Sequence, residues 1–353
     1  MLPDLAPLEA SLLNASGGVK LDARFRTLFT LKGCASLSED RRGDVIRIIG
    51  KGFSDDSALL KHEMAYVLGQ IQDTRALPVL EAVLADEKEH AMVRHEAAEA
   101  MGAISSPEAL PVLRRYLDDA DVSIRETCHL AVHKIRLDNS DLGVAESTLK
   151  EERDRAHGDA IDAAARAAAP IDPAPAAVKV PSGAAPLENI YTGGNVPMFR
   201  EALLDTSLSL FERYRAMFAL RNTVQQGGAD AEASAVRALA AGLCDTSALF
   251  RHEICFVFGE LCHPESIAPM TTVLNDDNEH EMVRHEAAEA LGGVLDSALD
   301  GDEDAQASVV ATLKRWADDA RAPRVVRESC VVALDEIAYN NDPSQFQPMD
   351  GIA

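Results

Sequence analysis

The chain has 353 residues, 47% hydrophobic but only 5% aromatic, and a formal net charge of −24 at pH 7. So acidic a surface repels a phosphate backbone and excludes nucleic acid as the expected partner; a basic protein or a cationic small molecule suits it. No apolar run reaches the roughly 20 residues of a membrane span, and Met1–Leu5 lacks the basic and apolar regions of a secretion signal. The six cysteines (Cys34, Cys128, Cys244, Cys255, Cys262, Cys330) form no C-x-x-C pair, which excludes a zinc ribbon or thioredoxin-type site. Scattered thiols in a long chain fit a reducing compartment, so a soluble, cytoplasmic protein without membrane contact is expected.

In chain order, residues 24–31 (RFRTLFTL) open a helical pattern. Asp55, Asp56 or Ser57 caps a helix running to about Gln70. Asp73 or Thr74 caps the next, to about Leu84, with Pro78 tolerated near its start. Residues 90–102 (HAMVRHEAAEAMG) and 124–128 (IRETC) continue the series. From about Asp138 to Val196 the composition shifts to Ala, Pro, Asp and Gly. The run Pro170–Ala176 is incompatible with a stable helix, residues 142–169 have partial helical character, and the stretch reads as a tether, flexible at least in part.

The series then repeats. RFRTLFTL returns as RYRAMFAL (213–220), SALLKHEMAYVLGQI (57–71) as SALFRHEICFVFGEL (247–261), HAMVRHEAAEAMG as HEMVRHEAAEALG (280–292), and IRETC as VRESC (326–330). His62 recurs as His252 and His95 as His285, each 190 positions on, whereas Arg125 recurs 202 positions on as Arg327, which places an insertion in the acidic stretch Asp300–Asp304. Within each half the histidines lie 33 apart, the length of one helix–turn–helix unit. The expected fold is all-α: an α-solenoid of eight HEAT-like helical hairpins in two pseudo-symmetric halves of four, residues 1–137 and 197–353, joined by the linker 138–196. Gly69, Gly102, Gly259 and Gly292 sit late in their helices, where a stop or a close helix contact is expected.

Four His-Glu pairs carry the chemistry: His62-Glu63, His95-Glu96, His252-Glu253 and His285-Glu286. The packing stripes of these helices are Leu60-Met64-Leu68, Val93-Ala97-Met101, Phe250-Ile254-Phe258 and Val283-Ala287-Leu291. At about 100° per residue, each histidine points roughly 200° from its stripe and each glutamate lies on the flank. The pattern V-R-x-x-A-A-x-A-L-G is by itself a scaffold of short helical repeats. There the valine, alanines and leucine pack, and the arginine braces neighbours. The pair fills its two variable positions. Outer repeats keep the scaffold and lack the pair, as in Arg125-Glu126-Thr127, Arg327-Glu328-Ser329, Arg26-Thr27 and Arg215-Ala216. Equivalent helices of adjacent repeats lie about 8–10 Å apart, so the side chains of consecutive pairs meet in the gap. Folding the halves face to face would give a dinuclear site with one metal per half. Mixed imidazole and carboxylate without thiolate suits iron, manganese or zinc.

In these residues the chain resembles the deoxyhypusine hydroxylase family. The carriers are ARFRTLFTL (23–31), SALLKHEMAYVLGQ (57–70), MVRHEAAEAMGAI (92–104), FERYRAMFALRN (211–222), SALFRHE (247–253), MVRHEAAEALG (282–292) and VVRESC (325–330). They span nearly the whole chain except the linker, which is longer than the family leads one to expect. The resemblance implies a non-haem centre of two Fe2+ per chain that uses O2 to hydroxylate the aminobutyl part of deoxyhypusine on translation initiation factor 5A, giving hypusine. It implies His62, His95 and Glu96 as iron ligands from one half and His252, His285 and Glu286 from the other. It assigns Glu63 and Glu253 to the substrate's ammonium groups, a split that the residues alone leave open. Met92 and Met282 are candidates for the pocket lining, with a core role as the alternative. Three other classes share features with it: a different dinuclear metalloenzyme such as a hydrolase, a bilin lyase-type HEAT protein, which has the scaffold but not four paired His-Glu motifs, and a non-catalytic HEAT-repeat scaffold.

Overall fold

The computed structural model describes residues 4–156, 170–176, 196–226, 229–298 and 302–340, and among these it is helical with no strand. The chain divides into two compact units, Met1–Gly227 and Gly228–Ala353. In the first unit, α1 (Ala6–Leu12), α2 (Leu21–Ala35) and α3 (Glu39–Lys51) lead to α4 (Ala58–Ile71), α5 (Leu77–Ala85), α6 (Ala91–Ile104), α7 (Leu110–Leu113) and α8 (Val122–Asp138). Helix α9 (Asp141–Ala156) follows, then α10 (Val196–Leu204) and α11 (Leu210–Gln226). The second unit holds α12 (Ala229–Ala241), α13 (Ala248–Leu261), α14 (Ile267–Asn275), α15 (Glu281–Ala298), α16 (Glu303–Asp318) and α17 (Arg324–Asn340).

Helices α2, α4, α6 and α8 pack side by side as one layer, backed by α3, α5 and α7; α13, α15 and α17 form the corresponding layer of the second unit, backed by α14 and α16. The expected stripes make the core: Leu60, Met64, Leu68, Val93, Ala97, Phe250, Ile254, Phe258, Val283, Ala287 and Leu291 are fully buried, and Met101 is 1% exposed. Fully burying one of the leucine, valine, isoleucine, phenylalanine or methionine side chains among them contributes about 1.5–3 kcal/mol. Ser57 caps α4 by accepting the Leu60 amide at 3.1 Å, and Asp121 caps α8 by accepting the Ser123 amide at 2.9 Å.

The repeat arginines act as braces. Arg94 donates its Nε–H to the Leu84 carbonyl at 2.9 Å and pairs with Asp119 of the next repeat at 3.1 Å. Arg213 and Arg284 make the same Nε–H bond to Leu203 and Leu274, at 2.9 and 3.2 Å. Each such bond satisfies a helix-end carbonyl that has no partner within its own helix.

Of the two roles expected for the late glycines, close contact is the one seen. Helices α4, α6 and α13 end on left-handed residues, Gln72 (φ 53°), Ser105 (φ 57°) and Cys262 (φ 46°), which lie three positions beyond Gly69, Gly102 and Gly259. Gly69 instead lets α6 approach: a Cβ built there falls 2.8 Å from Ala100 Cα.

The contact units do not follow the division expected from the repeats. Helix α11, expected to open the second half, packs on α8 within the first unit. Arg215 of α11 makes a buried two-pronged bond to Glu146 of α9 at 2.9 and 3.0 Å, and the Phe211 ring meets His133 at 5.4 Å. Helix α9 bears out the partial helicity read into 142–169. Residues 170–176 are not helical, and they are docked within the first unit. Asp172 pairs with Arg221 through contacts of 2.5 and 2.8 Å, both side chains being 9% exposed, and Ala174 is fully buried. Pro173 lines a small crevice with Glu99, Gly102, Thr127 and Ala131 of α6 and α8. The rest of the linker (157–169 and 177–195) and Asp300–Gly301 of the proposed insertion lie outside the described residues.

Candidate metal centre

Helices α4 and α6 are neighbours in one layer, and so are α13 and α15. Each pair of helices brings two His-Glu motifs together. In the first unit the rings of His62 and His95 lie 5.5 Å apart, and His62 Nε2 is 3.3 Å from Glu96 Oε2. In the second unit the rings of His252 and His285 lie 5.3 Å apart, and His252 Nε2 is 3.3 Å from Glu286 Oε2. The two units thus present nearly the same four-residue arrangement, as the 190-residue offset requires.

The face opposite the apolar stripe is not a solvated one. His95 and His285 are fully inaccessible, His62 and His252 are 6% and 4% exposed, and Glu96 and Glu286 are 4% and 7% exposed. Glu63 and Glu253 are buried too, at 8% and 2%. Burying several carboxylates beside imidazoles is unfavourable unless a cation or protons balance them.

The geometry of the donor set suits a metal ion. In the second unit one ligand atom from each of His252, His285 and Glu286 lies within 4.8 Å of the others. In the first unit the same holds for His95, Glu96 and Glu99. Imidazole nitrogen with carboxylate oxygen, buried and without thiolate, fits a divalent transition metal such as iron. These groups take in Glu96 and Glu286 and leave out Glu63 and Glu253, the two glutamates that the family resemblance assigns to substrate; the first-unit group also has Glu99 where the resemblance puts His62. Met92 and Met282 are 2% and 1% exposed.

The surrounding charges are fixed by pairs between repeats. Lys61 beside His62 binds Glu89 at 2.5 Å, and Arg251 beside His252 binds Glu279 at 2.5 and 2.8 Å. His90 and His280 accept the amides of Met92 and Met282 at 3.3 and 3.2 Å and so cap the ligand-bearing helices. Lys32 of α2 has its pKa lowered by burial, and the charge of Glu63 opposes that shift. Burial pushes the Cys255 thiol, on α13 near Glu286, well above its usual range.

Two residues at the site were not singled out in the sequence: Glu99, which joins the first-unit group, and Glu289, whose Oε1 lies 3.5 Å from His285 Nδ1. Their signal was present. They are themselves 190 apart, each one helical turn after a singled-out histidine.

Comparison with known proteins agrees with this arrangement. HEAT repeats match residues 46–132 and 234–335. A deoxyhypusine hydroxylase from Mycosarcoma maydis is 58% identical, with 97% of each chain covered. Another, from Cryptococcus neoformans var. neoformans serotype D, is 45% identical over 99% of this chain and 89% of its own. The solved structure of human deoxyhypusine hydroxylase in complex with glycerol is 41% identical and superposes with a TM-score of 0.72, covering 95% of this chain and 96% of that one. Identity at this level over nearly the whole length, on a helical-repeat scaffold that buries four matched His-Glu pairs, makes the chain a hydroxylating enzyme, a member of the deoxyhypusine hydroxylase family.

Proposed function

We propose that this chain hydroxylates deoxyhypusine on translation initiation factor 5A, using O2 and two Fe2+ ions per chain. His62, His95 and Glu96 hold one ion, and His252, His285 and Glu286 the other. The observation that carries the reading is the recurrence of one buried arrangement in both units, with an imidazole 3.3 Å from the glutamate of the next repeat each time. The functional halves are then the repeat halves 1–137 and 197–353, each with its own ligand set, and 138–196 is the connection between them.

Bound iron supplies the activation of O2 that an unactivated C–H bond requires. The protein's own residues hold the substrate. Glu63 and Glu253 are buried carboxylates beside the ligands, suited to grip the ammonium groups of an aminobutyl-lysine chain through charge-assisted hydrogen bonds. Fixing the charged ends sets how far the chain reaches and which carbon is presented. The net charge of −24 draws a basic substrate protein towards the enzyme. A cytoplasmic setting agrees with six cysteines that are all free thiols. No helix among the described residues is long and apolar enough to cross a membrane.

The test is anaerobic loading of the full chain with Fe2+, metal counting, then exposure to O2 with deoxyhypusine-bearing substrate protein. About two irons per chain are expected by the two-metal reasoning, with a substrate mass gain of one oxygen atom. Chelation should abolish turnover and lower the melting temperature, since a ligand at a hundred times its Kd contributes about 2.7 kcal/mol. Product formation without oxygen, or a chain that takes up no iron, would overturn the reading.

A further inference from the structure

Glu289 sits on α15 one turn after His285, and no role has been assigned to it so far. Its Oε1 lies 3.5 Å from His285 Nδ1 and accepts the Ser329 hydroxyl at 2.8 Å. Ser329, on the adjacent helix α17, is completely buried, as is His285, while the Glu289 side chain is 22% exposed. A ring nitrogen that faces a carboxylate carries the hydrogen, which leaves the other nitrogen as the lone-pair donor. For His285 that donor is Nε2, on a ring grouped with His252 and Glu286.

We propose that Glu289 is a positioning residue for His285: held by the Ser329 hydroxyl, its carboxylate fixes the tautomer and rotation of the imidazole so that Nε2 is presented to the metal. This inference rests on the metal reading above. Carboxylates behind ligating histidines have this effect generally, and they also raise the basicity of the ligand.

The first unit provides an internal comparison. Glu99 stands at the matching position and Thr127 at that of Ser329, but the Thr127 hydroxyl donates to the Ser123 carbonyl at 2.8 Å. The Glu99 carboxylate instead belongs to the same group as His95 and Glu96. The Ser329–Glu289 bond belongs to the second unit, whereas the matching Thr127 hydroxyl is spent on its own helix, so disrupting the Ser329–Glu289 bond should affect one metal and spare the other.

The experiment is titration of the full chain with Co2+, read by visible absorption, with Fe2+ stoichiometry measured anaerobically alongside. Glu289→Ala should weaken one of two Co2+ ions by about 10–100-fold and alter its absorption, the usual consequence of losing such a partner. Glu289→Gln keeps an oxygen acceptor for Nδ1–H and should restore most of the affinity. Ser329→Ala should weaken the same ion to a smaller extent, and Thr127→Ala should leave both as in the wild type. Wild-type affinity and spectrum in Glu289→Ala would overturn the proposal, as would a lowered melting temperature of the metal-free chain with the spectrum unchanged, which marks a structural role. A wild-type chain that binds neither metal would instead overturn the metal reading, and this inference with it.

Discussion

Gly69→Ala changes no ligand, yet it should weaken the first metal site. Gly69 lies where α4 and α6 touch, and an added Cβ would stand 2.8 Å from Ala100 Cα and 3.0 Å from Ala100 Cβ. Ordinary contact begins near 3.4 Å, so the helices must separate locally by at least 3.4 − 2.8 = 0.6 Å. The atom met is backbone and cannot turn aside. Overpacking of this kind costs about 1–3 kcal/mol, and the better helix propensity of alanine returns about 1 kcal/mol, leaving a net loss of about 0–2 kcal/mol. The same displacement bears on His62 and Glu96, which these two helices carry with ligand atoms 3.3 Å apart. Metal–ligand distances tolerate about 0.2 Å, so affinity should fall as well. The counterpart Gly259 meets Ala290 Cβ at 3.2 Å, a shortfall of only 3.4 − 3.2 = 0.2 Å, and Gly259→Ala should be much milder. Gly33→Ala has no atom within 4 Å of the new Cβ and should be neutral or stabilising by up to about 1 kcal/mol. Urea denaturation of the metal-free chains and Co2+ titration provide the two readouts. The reasoning is refuted if Gly69→Ala matches the wild type in both, or if Gly259→Ala proves the more damaging of the two.

Three further outcomes are expected. Glu96→Ala and Glu286→Ala should lose iron, whereas Glu63→Ala and Glu253→Ala should keep most of it and lose substrate binding; metal counting beside substrate titration separates them, and equal iron loss in all four would show the roles wrongly divided. Asp172→Ala should destabilise the first unit by about 1.5–3 kcal/mol, the range for a hydrogen bond to a charged group, seen as a lower denaturation midpoint with iron content unchanged. Stability should decline as pH rises above 9.0, because Cys128 and Cys330 ionise there once unfolded, whereas burial holds both thiols up to about 12 in the fold. A raised folded pKa favours the native state fully below the unfolded value and loses that contribution as pH climbs through the folded one, so Cys128→Ala with Cys330→Ala should flatten this alkaline limb of the stability profile.

The parts of this molecule that were legible in its sequence are those set by local rules. Helical periodicity places Leu60, Met64 and Leu68 on one face, and that face is buried. Ser57 caps because a short hydroxyl before a helix satisfies an amide that the helix cannot. His62, His95, His252 and His285 stood out because a pair repeated in the inner repeats and missing from the outer ones is not a requirement of packing. Glu289 was harder to see, since an acidic residue one turn along an amphipathic helix is ordinary, and only the distant Ser329 shows that this one is held in place. The late glycines were ambiguous for a related reason. Whether such a residue stops a helix or admits a neighbour depends on the helix beside it, which periodicity within one helix does not specify.

The linker shows most plainly where composition stops being informative. Few large apolar residues and several prolines argue for a tether, and that inference concerns how little the segment can bury on its own. It does not address what a few residues can do against a surface built by others. Asp172 lies 49 positions before Arg221, and the pairing exists because α11 packs on α8 and presents the guanidinium there. The same non-local packing moves the compact boundary to Gly227, beyond the point where the second set of repeats begins. A simple tether would let any flexible sequence replace 150–185 at little cost, because closure entropy changes slowly with loop length. With Asp172 paired and Ala174 buried, such a replacement should instead cost stability in the first unit. Restoring only residues 170–176 within the Gly/Ser tether should recover most of it. Full stability without those seven residues would return the segment to the role its composition suggests.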